Sequence, residues 1–151
     1  MIPASTFQSG RLAHGEFGKL FLCDDGEKFF VGRAGDGSLV AVMLEGDFGS
    51  HRPFYFADLE SWTRRGVMAQ PQIVVDPSSI ARTDAIPPGA IALNGNSIHI
   101  AGFSGQSYQD VLIKGEGGEP ETNAVAFTSW AASVQGADEE RVELFSFKGS
   151  D

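Results

Sequence analysis

The sequence has one cysteine, few cations and no long apolar run, and each shortage narrows the field. Cys23 stands alone, so no disulfide can close within the chain and no cysteine-rich metal centre can be built. Small secreted domains commonly depend on such staples, which makes a reducing, cytoplasmic setting the expectation. Lys and Arg total 11 against 20 Asp and Glu, a formal charge of -9, and no cations stand together beyond the pair Arg64-Arg65. Nucleic acid is held by rows of cations that displace counterions from phosphate. With no such row, DNA, RNA and anionic membrane surfaces are not the expected partners. The longest apolar run, Leu39-Val40-Ala41-Val42-Met43-Leu44, has six residues, against about 20 for a helix that spans a bilayer. The first 18 residues contain Arg11 but no apolar stretch of leader length, so a soluble protein is expected. At 151 residues the chain has the size of one ordinary domain.

What is abundant is glycine, 19 residues, and phenylalanine, 12. The glycines fall between short β-prone runs, the pattern of a chain that folds back on itself often. Lys19–Cys23 and Lys28–Gly32 flank Asp24-Asp25-Gly26-Glu27, and a second turn, Ala34-Gly35-Asp36-Gly37-Ser38, leads into Leu39–Glu45. These three runs predict an antiparallel meander, and the unbroken apolarity of Leu39–Leu44 predicts a strand buried on both faces. Asn94-Gly95-Asn96 between Ala90–Leu93 and Ser97–Ala101 predicts a hairpin, because Asn and Gly tolerate positive φ. Gln72–Val75 and Arg141–Phe147 read as two further strands, and Ile86-Pro87-Pro88-Gly89 as a rigid connector.

Two segments carry a helical period. Tyr55, Leu59 and Trp62 stand at i, i+4 and i+7, with Asp58 and Glu60 early, Arg64 and Arg65 late and Gly66 after them. That order of charges suits a helix dipole and its C-terminal glycine, so a short helix is predicted over 57–65, with a strand through Phe54-Tyr55-Phe56 as the competitor. Phe127, Trp130, Ala131 and Val134 repeat at i, i+3, i+4 and i+7, which favours a helix over 123–135 against a strand starting at Val125. The fold expected is a single mainly β domain spanning 1–151. It is an antiparallel sandwich or partly open barrel with one or two short helices, and α+β if 123–135 is helical.

Several short strings imitate catalytic motifs. Asp47-Phe48-Gly49 spells the magnesium-binding tripeptide of kinases, but the chain is too short for that fold and lacks its catalytic loop. Gly32–Gly37 has the glycines of a phosphate cradle, yet it joins two strands, whereas a cradle needs a following helix. Gly102-Phe103-Ser104-Gly105 has Gln106 where a nucleophile elbow requires glycine. Cys23 beside His14, His51 or His99 could serve as a nucleophile, although a single cysteine in a strand is more often a small buried hydrophobe. The metal candidate is His14-Gly15-Glu16 with His51 or His99 as the distant histidine, His99 being the one adopted. A His-x-Glu pair on one strand face can supply an imidazole and a carboxylate to a divalent ion. Outside such a site, His14 and His99 are expected at the surface.

The aromatic segment offers Phe48, His51, Arg52, Phe54, Tyr55 and Trp62 as a groove for a peptide or planar ligand. Against that stands the need of a β domain for bulky core residues, which is the preferred reading for most of them. Charge supplies the remaining candidate site. Residues 1–75 carry 7 cations and 9 anions (net -2), residues 76–151 carry 4 and 11 (net -7). Glu116, Glu119 and Glu121 form one cluster, and Asp138, Glu139, Glu140 and Glu143 another. These point to a non-enzymatic protein-binding module, for example a small inhibitor or immunity-like protein, whose acidic half meets a basic partner. That reading calls for no cofactor and leaves homo-oligomerisation open. The alternative is a β-barrel protein or enzyme holding a metal or small ligand at His14, Glu16 and His99.

Overall fold

The computed structural model describes residues 1–81, 86–116 and 124–149. Thirteen strands run through them: β1 (Gln8–Arg11), β2 (Leu20–Cys23), β3 (Lys28–Arg33), β4 (Leu39–Glu45), β5 (Phe56–Asp58), β6 (Arg65–Ala69), β7 (Gln72–Val75), β8 (Ile91–Asn94), β9 (Ser97–Phe103), β10 (Tyr108–Lys114), β11 (Val125–Phe127), β12 (Ser129–Gln135) and β13 (Arg141–Lys148). Ten form one sheet in the order β1-β6-β2-β3-β10-β9-β8-β11, with β4 on the far edge of β3 and β5 beyond it; β13-β12-β7 form the second. All strand pairings are antiparallel. The larger sheet curls, so that Tyr55 at the head of β5 makes a parallel bridge to Phe103 at the end of β9, without closing into a barrel.

Side-chain alternation assigns each sheet face. Phe30, Val40, Val42, Ile100 and Val111 point from the large sheet toward Trp130, Ala132 and Phe145 of the small one and form the main core with them. The opposite pleats of β2, β3 and β4 put Phe21, Phe29, Val31 and Met43 on the other face, where Leu12, Leu59 and Trp62 cover them. The expectation for Leu39–Leu44 holds: Val40 to Leu44 are all buried, feeding both clusters in alternation. The meander β2-β3-β4 and the β8–β9 hairpin also form as predicted. Asn94 pairs with Ser97, so the turn is Gly95-Asn96, and only Gly95 (φ 61) takes the left-handed region.

Neither predicted helix exists; the described residues contain only 3-10 turns. Over 57–65 the chain is the end of β5, one 3-10 turn at Leu59–Ser61, and the start of β6. A single such turn, closed by Trp62 N–H on Leu59 O at 3.0 Å, brings residues three apart onto one side. That is enough to bury both Leu59 and Trp62. The cations answer to a different partner than a helix end: Arg64 pairs with Glu27 and Arg65 with Asp24. Gly66 is not a helix cap, since a Cβ there would overlap the Leu22 carbonyl of the adjacent β2.

Over 124–135 the structure has β11 and β12. β11 pairs with β8 in the large sheet and β12 with β7 and β13 in the small one, so the chain changes sheets at Thr128. Ser79 stitches this corner: its carbonyl accepts from Thr128 N (3.0 Å) and Oγ1 (3.2 Å), and its hydroxyl accepts from Ser129 N (3.0 Å). The helical spacing arose because Phe127 and Trp130 belong to different sheets while Ala131 and Val134 fall on opposite faces of β12.

Candidate functional site

The described members of the second acidic cluster lie on the β12–β13 hairpin. Its turn is closed by hydrogen bonds, Gly136 N–H donating to Glu140 O at 2.6 Å and Asp138 N–H to the Glu140 carboxylate at 2.9 Å, and Glu139 sits at φ 64, a costly region for a residue with a Cβ. Asp138, Glu139, Glu140 and Glu143 are all exposed. Glu140 lies 3.7 Å from the N-terminal ammonium. Asp138, Glu139 and Glu143 form no ion pair among the described residues. Arg141, the cation nearest in sequence, is bonded instead to Gln72 and to Ser133. Glu143 stands opposite Ser133, and on that side of the small sheet a shallow groove of about 380 Å³ runs past Val74, Ala131 and Ser146. A second cleft, of about 490 Å³, opens between Gln70, Gln72, Gln135 and Glu139. Glu116, from the first cluster, is exposed at the end of β10, and its carbonyl accepts from Ser97 Oγ at 2.7 Å. Glu119 and Glu121 lie outside the described residues.

The aromatic segment divides. Phe54 and Trp62 are 4% and 8% exposed, so they are core and not groove. Trp62 packs edge-on against Phe29 at 4.8 Å and Tyr55 at 6.1 Å. Phe54 meets Phe147 at 4.9 Å and fills the space above Gly89. It does so at φ 66, a rare conformation for a bulky residue that its surroundings must enforce. Tyr55 and Phe48 are half-buried, while His51 and Arg52 are exposed. His51 stacks flat on Tyr55 at 3.7 Å, and Arg52 lies over Phe103 at 5.9 Å.

The structure separates the residues of the metal candidate. His14 and Glu16 are exposed beside a 3-10 turn, whereas His99 is 6% exposed in the middle of β9. They do not form a ligand group: among the described residues the one trio of ligating side chains within 4.8 Å is Cys23, Asp25 and Glu27. In that trio Glu27 is already paired with Arg64. The Cys23 thiol is pushed up to about 12, first by burial and then by Asp25 and Glu27, so at neutral pH it is a thiol and not a nucleophilic thiolate. Ser104 is equally committed, donating to Ser107 O (3.1 Å) and accepting from Gln106 N and Ser107 N (both 3.3 Å) in a serine turn.

His99 was expected at the surface and is buried. Alternation along β9 places it with Ala101 and Phe103, opposite Leu112 of β10 and Ala92 of β8, on a face that is covered and not solvated. Neither ring nitrogen has a hydrogen-bond partner among the described residues. Burial holds its pKa below the usual histidine value, with Asp110 opposing. Asp110, diagonal to it on β10, is raised by its own burial and lowered again by His99. A buried titratable pair has no signature in one sequence, since it depends on cross-strand register.

Compared with known protein families, curated proteins and solved structures, the chain matches none. No helix among the described residues is long and apolar enough to cross a membrane.

Proposed function

We propose that this protein is a non-enzymatic binding module whose β12–β13 hairpin docks on a basic surface of a protein partner. The observation that carries the reading is the grouping of unpaired charge on one hairpin. Asp138, Glu139 and Glu143 stand together there with no cation among the described residues, at a turn closed by its own hydrogen bonds. Carboxylates clustered on one hairpin add their fields toward an approaching partner. Such a field mainly accelerates encounter and penalises wrong partners.

A fluorescent deca-lysine peptide tests this by stopped-flow association. At low salt the wild type should associate about tenfold faster than the D138N/E139Q/E143Q variant, and the difference should shrink toward physiological salt as the Debye length falls to about 8 Å. A D47N/E60Q control, on the N-terminal half, should match the wild type. Equal rates for wild type and hairpin variant, or a rate indifferent to salt, would remove the proposal.

A further inference from the structure

The large sheet is joined unevenly. β3 meets β4 through six register pairs and β9 meets β10 through six, but β3 and β10, where the two halves of the sheet adjoin, share one, Leu112 with Arg33. A second link between the halves lies at the end of the curl. There Phe103 N–H donates to Phe54 O at 2.8 Å, Tyr55 bridges to Phe103, and the Tyr108 hydroxyl donates to Pro53 O at 3.1 Å. Both links are made by β9 and β10, and both are close in register to His99: Leu112 stands opposite it, and Phe103 follows four residues on along the same face of β9.

The His99 side chain is buried with no hydrogen-bond partner for either ring nitrogen among the described residues. Its cross-strand row holds Ala126, Ala92 and Leu112, apolar neighbours that suit a neutral imidazole. Among the described residues the charged groups on this face are three: Asp110, half-buried and diagonal on β10; Arg33, beyond Leu112 in the same row; and Arg52, over the Phe103 ring at 5.9 Å. β8 and β11 contribute Ala92 and Ala126 and no charge. Two of the three are cations, and Asp110 forms no ion pair with the ring. A proton taken up by His99 therefore creates a buried charge with no acceptor, which is relieved when the charge reaches water. Burial accordingly holds the ring below the ordinary histidine pKa, with Asp110 opposing. Local opening follows the line of fewest bonds, and the nearest such line is the single-pair junction of β3 with β10.

We infer that His99 is an acid-operated release for this seam: on taking up a proton it parts β10 from β3 and frees Phe103 from Phe54, while the β2-β3-β4 meander stays paired. The device is independent of the docking hairpin. Amide hydrogen exchange by NMR at pH 7.5 and 5.5, corrected for intrinsic rates and repeated in urea below the unfolding transition, reads it residue by residue. The Phe103 and Leu112 amides should lose about three- to tenfold of their protection on acidification, tenfold being roughly what one proton with an open-state pKa of about 6.5 supplies over that range. Their exchange should depend weakly on urea, whereas the Phe21 and Phe30 amides of β2 and β3 should carry the slope of global unfolding. In His99→Leu the acid response should drop below about twofold, and His14→Gln should respond like wild type. If the leucine variant does not fold, wild-type exchange and the ring signals decide together: His99 should titrate below about 6.5, and lower still in Asp110→Asn, which removes the opposing charge. The inference is overturned if the Phe103 and Leu112 amides follow the urea slope of β2 and β3, if His99→Leu keeps the wild-type response, if His14→Gln abolishes it, or if the His99 ring titrates at or above about 6.5.

Discussion

Two acidic hairpin turns in this molecule have opposite fates. The β2–β3 turn carries Asp24, Asp25 and Glu27, and the neighbouring strand β6 brings Arg64 and Arg65 against it. The β12–β13 turn carries Asp138, Glu139 and Glu140, and among the described residues only Glu140 of these pairs with a positive group, the N-terminus. Similar composition therefore has two settings: in the first turn Asp24 and Glu27 each face an arginine, while in the second Asp138 and Glu139 face no cation among the described residues. Burial separates Glu27, 13% exposed, from Asp24 and Glu140, 55% and 43% exposed.

The strongest way to break the comparison is to remove the strand that neutralises the first turn. Gly66→Ala should do so, because its Cβ would overlap the Leu22 carbonyl and force β6 from β2. A loss of about 3 kcal/mol or more is expected by denaturant titration, as for other backbone clashes in packed regions. Arg64→Met sharpens the comparison with a smaller effect. Glu27 would then sit largely buried without its partner, at a cost of about 1–3 kcal/mol, whereas D138N/E139Q should move stability by no more than about 0.5 kcal/mol. Equal losses at the two turns would erase the distinction drawn here.

The smallest effect concerns the interior, where burial disfavours the charged form of His99 and Asp110 only partly offsets it. Its folded pKa lies below the unfolded value of about 6.5, so the unfolded chain takes up the proton first. Stability from this residue is complete above about pH 6.5 and declines as the pH falls toward the folded value. Asp110 has the opposite sign: its raised pKa favours the fold at low pH, a contribution lost as pH rises through the folded value. Urea midpoints measured from pH 7.5 to 5 should slope for wild type and flatten in His99→Leu. A variant with the same slope would assign the pH dependence elsewhere.

Much of the architecture was legible in the sequence because local rules sufficed. Gly26 and Gly37, at φ 95 and 87, and Gly95 mark turns that short apolar runs frame. The unbroken run in β4 reports a strand covered on both sides. What failed was the reading of three- and four-residue spacings as helix. Leu59 and Trp62 need only one 3-10 turn to share a side, and Phe127 and Trp130 line up across a sheet change that no window of sequence contains. Gly66 illustrates the same limit, for a glycine after two arginines resembles a helix end until the Leu22 carbonyl is seen against it. Among candidate sites, hairpin acids were visible as a run of like charge. His99 was misread because the covering of its sheet face is a matter of tertiary structure.

Lys28 adds a consequence for assembly. Its ammonium leaves β3, pairs with Glu45 at 3.2 Å and donates to the carbonyl of Leu144 at 2.7 Å, the residue that the bulge in β13 leaves without a counterpart on β12. A border strand of eight residues is a natural template for stacking copies into fibres, and a lysine placed on one of its acceptors, together with a local kink, spoils that template. The Lys28 ammonium thus occupies one acceptor of this border strand and disfavours extension of the sheet at that point.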